Sequence, residues 1–413
     1  MEINRKMLIT VLTQIKAYKD VIVFQDSFEN GCLDILYIPK SNSTSMAIHK
    51  MVIRVSGPGM DLFDDTPVVK LGRFVPVYLS RIKALLKDTQ KCEFENGYIN
   101  GVCVEINTID GEVCNISKMI VASYNEYWEE LKLLEHQGSK LSMKKIDWAY
   151  TISECTKFVS NDSTRLSMTG ICFDFGDEEK KVNIVSTDGR KLILLHSINL
   201  ANNIQSQNQF IINPGVLFVP ESDCNTIQLC FYEKFGKMSV TTVDYRFEGL
   251  FECIEGSFPN YKRVIPDITE STQWFTLCAA SFRTTMDSVR SLLGKNDNIY
   301  FNAENPNSLS ITISEGSVTL EVEGTASRPM QVSFAWEHIS PCLFDGVAFT
   351  KFYLDGSYKA IRSQEKKSVK GLTLNVIKLF MPTGCDSVDP NNDEFRIPKN
   401  KDISVNSNFK EEN

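Results

Sequence analysis

The side chains best suited to chemistry in this chain are twelve cysteines and four histidines. The cysteines, among them Cys32, Cys155, Cys172 and Cys230, never form a Cys-x-x-Cys pair. Most stand inside apolar runs such as Gly170-Ile171-Cys172-Phe173, as expected of reduced Cys used as a small hydrophobe. His49, His136, His196 and His338 are scattered, whereas a zinc site needs ligands at short, paired spacing. The acid pairs Asp64-Asp65 and Glu178-Glu179 lie in polar stretches and read as solvated. Gly57-Pro58-Gly59 reads as a turn, and Gly294-Lys295 as the end of a helix. There is no Gly-x-Ser-x-Gly elbow and no phosphate loop of the Gly-x-x-x-x-Gly-Lys-Ser/Thr type. No nucleophile, base and oxyanion donor assemble, so the sequence offers no positive sign of catalysis, cofactor or metal.

The elements that would position any site form a recurring unit. Amphipathic helices are expected over Asn4–Lys19, Phe74–Lys87, Lys144–Val159, Asn213–Pro220, Ala279–Leu293 and Trp336–Phe344, the last weakened by Pro341. Leu8, Val11, Leu12 and Ile15 form the first apolar stripe, and Phe282, Met286, Val289 and Leu293 the fifth. Arg81, Lys83 and Lys87 fall on the outward side of the second helix, and Arg283 and Arg290 on another side of the fifth. Period-2 alternation predicts strands over Lys181–Val185, Thr226–Tyr232, Lys237–Val243, Ser308–Ile313, Ser317–Val322, Ala348–Leu354 and Leu372–Met381. The rhythm repeats about three times, with two helices per repeat, and the segregated layers make an α+β fold. Boundaries are expected near the polar connectors at 140 and 265, giving domains 1–140, 141–265 and 266–383. Residues 384–413 are poor in apolar side chains and are expected to form a disordered tail.

The net charge is −8 over 413 residues. A negative total first counts against nucleic acid, because duplex binding is driven by basic surface. By segment, however, the three expected domains carry −2, −2 and −1, and the tail carries −3. The folded body is nearly balanced, and a basic face fits inside such a total. No apolar run reaches the roughly 18 residues of a membrane span, and no signal-peptide core follows Met1. A cytoplasmic protein without a membrane partner is the expectation.

Three strings are specific. Val185-Ser186-Thr187-Asp188-Gly189-Arg190-Lys191-Leu192 is followed by Ile254-Glu255-Gly256-Ser257-Phe258-Pro259-Asn260-Tyr261-Lys262-Arg263-Val264-Ile265-Pro266, and Lys378-Leu379-Phe380-Met381-Pro382 closes the third repeat. In order and spacing they resemble the bacterial sliding clamp family, the beta subunit of DNA polymerase III. That family carries Thr-Asp-Gly-His-Arg-Leu, Phe-Pro-Asp-Tyr-Arg-Arg-Val-Leu-Pro and a final Val-Met-Pro-type strand. Residues 141–383 carry the likeness by motif, and residues 1–140 by architecture alone.

The resemblance implies a three-domain DNA-clamp fold that dimerises head to tail into a ring around duplex DNA. Such a ring is a non-catalytic processivity factor that tethers polymerase and clamp loader through their short linear motifs. Its inward helices would face phosphates with Lys16, Lys19, Arg81, Lys83, Lys87, Lys144, Lys145, Lys157, Arg283 and Arg290, attracting the backbone without reading bases. The family's peptide cleft maps onto Met168, Thr187, Gly189, Arg190, Lys191, Leu192, Pro259, Arg263, Val264, Leu379, Phe380, Met381 and Pro382. An apolar pocket with few polar anchors suits a hydrophobic peptide. Without the resemblance, Leu192, Val264 and Leu379 read as plain core and Gly189 as a turn. The family's dimer contact pairs an edge strand with a helix end, which map near Cys114–Ile116 (Cys114 and Ile116) and onto Leu292 and Leu293. Arg190-Lys191 replaces the family's His-Arg, and Asn260 and Lys262 replace Asp and Arg. A tail after Thr383 is a further departure, with a place beside the cleft to restrict access. The alternative is a clamp-fold interaction scaffold, or specialised paralogue, that no longer encircles DNA.

Overall fold

The computed structural model describes residues 2–382 except 28–31, 41–46, 55–73, 88–91, 96, 107–110, 135–137, 177–180, 198–200, 204–208, 222–223, 233, 243–244, 290, 292–297, 314–317, 355–358 and 370–371. The expected tail, 384–413, lies outside the described residues. The chain forms two compact units. One comprises Met1–Asp188, Leu194–Pro259 and Lys367–Asn375; the other Gly189–Ile193, Asn260–Lys366 and Val376–Asn413.

The described helices are α1 (Arg5–Gln14), α2 (Leu79–Leu85), α3 (Gly111–Leu134), α4 (Lys145–Thr156), α5 (Ala279–Val289) and α6 (Trp336–Ile339). None is long and apolar enough to cross a membrane. Among the described residues, no group of three His, Cys, Asp or Glu is placed to hold a metal, and the cysteines are unbridged.

The first unit is organised by a nine-stranded antiparallel sheet. Its order is Ala201–Asn203, Ser139–Met143, Cys224–Phe231, Phe235–Thr242, Tyr245–Glu252, Ala47–Arg54, Cys32–Tyr37, Val21–Ser27 and Phe74–Tyr78. At its centre Tyr245–Glu252 pairs with Ala47–Arg54, placing Phe247 opposite Met51 and Glu248 opposite Lys50. This seam joins chain from the first expected domain to chain from the second, which explains why both fall in one compact unit. The same unit holds a small sheet of Glu2–Ile3, Cys92–Glu95, Tyr98–Ile99 and Val102–Cys103. It also holds the hairpin in which Cys172 faces Val185. In the second unit Val318–Val322, Ser308–Ile313, Asn298–Asn305 and Met330–Ala335 form one antiparallel sheet. Phe349–Leu354, Gln273–Cys278 and Gly324–Ala326 lie side by side in another.

Strand alternation gives the large sheet of the first unit two buried faces. Val21, Val23, Leu36, Ile48 and Leu250 point to one side, where Val113, Ile116, Ile120 and Tyr124 of α3 cover them. Ile22, Phe24, Ile35 and Met51 are buried on the other side. Burying each such side chain stabilises the fold by about 1.5–3 kcal/mol.

Several sequence expectations shift. The first helix stops at Gln14, because Ile15 turns extended and Lys40 N donates to Lys16 O at 2.8 Å. Lys19 is left-handed, at φ 52°. Phe74–Tyr78 is a strand and not helix: it has Pro76 and two valines, and it pairs with Val21–Ser27. Asn213–Pro220 contains a single 3-10 turn, Pro214–Val216, which Asn213 caps by accepting from Gly215 N at 2.7 Å. Pro341 truncates Trp336–Phe344 to α6 and a 3-10 turn. The helix missed from sequence is α3. Cys114 and Ile116, expected in an edge strand, lie in its first turns, with Ile116 packed onto the sheet.

Candidate DNA-facing and partner-binding surfaces

The basic surface is built on α1 and α2, which pack against each other. Leu8, Val11 and Leu12 bury one side of α1, and Asn4 caps its start by accepting from Met7 N at 3.2 Å. Leu79, Ile82 and Leu86 bury one side of the α2 segment. Arg81 and Lys87 are therefore left exposed and Lys83 half-buried. Burial lowers the Lys83 pKa, and Asp20 opposes that shift. Asp20 also anchors the start of α2, accepting from Ser80 N at 3.1 Å and Ser80 Oγ at 2.5 Å. Exposed Lys6 on α1 belongs to this surface and escaped the sequence reading. Its signal was present: it stands in the first turn of the helix, two residues before the apolar stripe.

The other expected DNA-facing residues divide. Lys16 is exposed, but on extended chain beyond α1. Lys19 pairs with Glu112 of α3 at 3.3 Å. Lys144 is exposed at the N-cap of α4, Lys145 Nζ donates to Glu221 O at 2.6 Å, and Lys157 pairs with Glu154. Arg283 pairs with Asp345 at 2.5 Å. Arg290 lies outside the described residues.

The expected cleft residues fall in both units. In the first, Met168 and Pro259 are half-buried and Thr187 is buried at a strand end. Leu166, in the 3-10 turn with Met168, is 52% exposed and was not singled out from sequence. In the second, Gly189 has φ 88°, a conformation that favours glycine, and Arg190 is exposed with Lys191 half-buried. Arg190 O accepts from Met381 N at 2.8 Å, so the first and third strings meet through the backbone. Leu192, Leu379 and Phe380 are core, and Phe380 makes edge contacts with Phe334 and Phe352 at 5.4 and 5.8 Å. Val264 and Met381, 50% and 38% exposed, are apolar side chains left at the surface. Arg263 beside Val264 is exposed, and Pro382 is half-buried. Lys378 is buried and donates to Pro341 O at 2.9 Å and Leu343 O at 3.2 Å, a structural role. Leu292 and Leu293 lie outside the described residues.

No family model matches the chain. A curated relative, the beta sliding clamp of Treponema pallidum, is 26% identical over 317 residues, covering 70% of this chain and 75% of that protein. Among solved structures, the DNA polymerase III beta sliding clamp of Bartonella birtlesii bound to griselimycin superposes with a TM-score of 0.67 at 12% identity, over 92% of this chain and 98% of that one. The DNA polymerase sliding clamp of Pseudomonas aeruginosa gives 0.65 at 13%, with the same coverage. The DNA polymerase III beta subunit of Thermotoga maritima gives 0.61 at 12%, covering 92% and 96%. In sequence and in fold, then, the chain is related to the bacterial beta sliding clamps.

Proposed function

We propose that this protein is a DNA sliding clamp, a processivity factor without catalysis of its own. Two copies would close head to tail around duplex DNA in the cytoplasm. Polymerase and clamp loader would dock by short apolar motifs on the surface that includes Arg190, Arg263, Val264 and Met381. The observation that carries the reading is the packed α1–α2 pair, which leaves Lys6, Arg81 and Lys87 exposed to solvent. Such charges attract phosphates without reading sequence, as sliding requires. The three-domain division at 140 and 265 belongs to this proposal. The test is retention on circular DNA in the presence of a clamp loader. Release when the circle is linearised is the expected result, and equal retention on both forms would sink the ring.

A second reading is a clamp-fold scaffold that binds partners and does not encircle DNA. It is favoured by α3, which occupies the positions expected for a dimer edge strand, and by Arg283, whose charge is paired with Asp345. Sedimentation separates the two readings: a strict monomer at micromolar concentration supports the scaffold.

A further inference from the structure

The shortest helix in the basic surface is also the one tied most directly to its neighbour. α2 has seven residues, too few to be stable by its own hydrogen bonds. Leu86 and Lys87 follow its last residue, and their carbonyls have no donor within the helix. Arg5, the first residue of α1, supplies one from across the pair. Its Nε donates to Leu86 O at 2.6 Å and its Nη2 to Lys87 O at 2.7 Å. These are the hydrogen bonds of the guanidinium among the described residues. The fork brings two donors and a positive charge to the end of a helix where the backbone dipole is negative. Arg5 directly follows the Asn4 cap at the start of α1.

We infer that Arg5 is a positioning residue: it clamps the C-terminal end of α2 so that Lys87, whose own carbonyl it holds, is presented to the DNA backbone together with Arg81 and Lys6. The inference rests on the DNA-facing reading of α1 and α2 and deepens it. Arg5 commits its Nε and one Nη2 donor to protein carbonyls, so the effect inferred for it on DNA is the one that passes through Lys87. A lysine at position 5 has one compact ammonium in place of the fork, and it can satisfy the two carbonyls only in part.

The test is a double-mutant cycle on the full chain. It is read by anisotropy of a fluorescein-labelled duplex of about thirty base pairs titrated over a range of NaCl, where each phosphate contact contributes about 0.9 to the slope of log Kd against log salt. Lys87→Gln is expected to lower the slope by about one contact. Arg5→Met is expected to lower it by a similar amount, the double variant by no more than either single, and Arg5→Lys to restore part of the loss. Arg5→Gln repeats the arm if Arg5→Met fails to fold. An unchanged slope in a folded Arg5 variant would overturn the inference, since a merely structural contact moves the melting temperature and not the salt dependence. Additive losses would overturn it too, since Arg5 would then touch DNA independently of Lys87. Wild-type chain that leaves the duplex free even at low salt and saturating protein would overturn the DNA-facing reading of α1 and α2, a result distinct from failed retention on circular DNA.

Discussion

Lys50 and Asp34 form a buried ion pair beneath α3, with Nζ 3.2 Å from Oδ2 and the two side chains 15% and 11% exposed. Lys50 Nζ also donates to Tyr124 OH of α3 at 3.3 Å, and on the neighbouring strand Lys50 stands opposite Glu248. Glu248 in turn meets Arg246 at 2.8 Å and Lys237 at 3.6 Å. Burial opposes charge on Lys50, but Asp34, Tyr124 and Glu248 outweigh it, and its pKa is raised. Burial likewise opposes charge on Glu248, and Lys237, Lys50 and Arg246 bring its pKa down. Lys50 and Glu248 are thus held in their charged forms, whereas burial raises the Asp34 pKa against the pull of Lys50. The cluster lies on the strand seam that unites residues 47–54 with 245–252.

Breaking this pair should cost far more than replacing it. Lys50→Met leaves Asp34 buried without its partner and is expected to lose about 3–5 kcal/mol in urea unfolding. Removing both charges, in Lys50→Met with Asp34→Leu, should recover most of that loss, because a buried pair roughly breaks even against apolar side chains. A double variant as unstable as the single would show that the pair is not the unit of stability.

His49 predicts a pH dependence. Its ring is fully buried between Tyr37 and Phe247, with Nε2 2.9 Å from Val216 O and Nδ1 unpartnered. Burial lowers its pKa to about 4, the Val216 carbonyl acting in the opposite direction. The folded state thus binds the proton less well than the unfolded state. Stability from this group is complete above the ordinary value of 6.5 and is lost as pH falls towards 4, by up to about 3 kcal/mol. Denaturant melts at pH 7.5 and 4.5 should show a smaller loss for His49→Gln than for wild type. Equal losses would remove His49 as the cause.

The exposed apolar pair separates binding from folding. Val264 and Met381 are 50% and 38% exposed, so Val264→Ser and Met381→Ser should shift unfolding by less than about 1 kcal/mol. Each should weaken a hydrophobic clamp-binding peptide by roughly tenfold, as truncation at the centre of a small apolar interface does. Unchanged peptide affinity in both variants would dissociate this surface from partner binding.

The segment after Thr383 gives a truncation test. If it restricts the partner surface, deleting 384–413 should tighten peptide binding severalfold without altering the melt. The same dissociation constant in full-length and truncated chains would end that idea.

Much of this was legible in one dimension. The stripes Leu8, Val11, Leu12 and Phe282, Met286, Val289 are buried as their spacing requires, and the predicted strands lie where period-2 alternation put them. Asn213 caps its turn as a residue of its type before Pro214 should. The three strings carried the resemblance before any coordinates. These signals are local, since periodicity, capping and turn chemistry act within about one or two turns of chain.

What depended on distant partners was out of reach. Phe74–Tyr78 is a strand because Val21–Ser27 waits beside it, and α3 is a helix whose stripe finds the apolar sheet face of Val21, Val23 and Leu36. Which lysines keep their charge for a ligand was likewise decided in three dimensions. Lys19 and Lys157 are paired with Glu112 and Glu154, while Lys6 and Lys87 remain at the surface. The sequence by itself determined the α+β character of the fold and the family likeness, through patterns that each element carries alone. Only the tertiary structure decided the seam at Lys50 and Glu248, the covering of its face by α3, and the grip of Arg5 on α2, because each joins residues many tens of positions apart whose pairing no local pattern encodes.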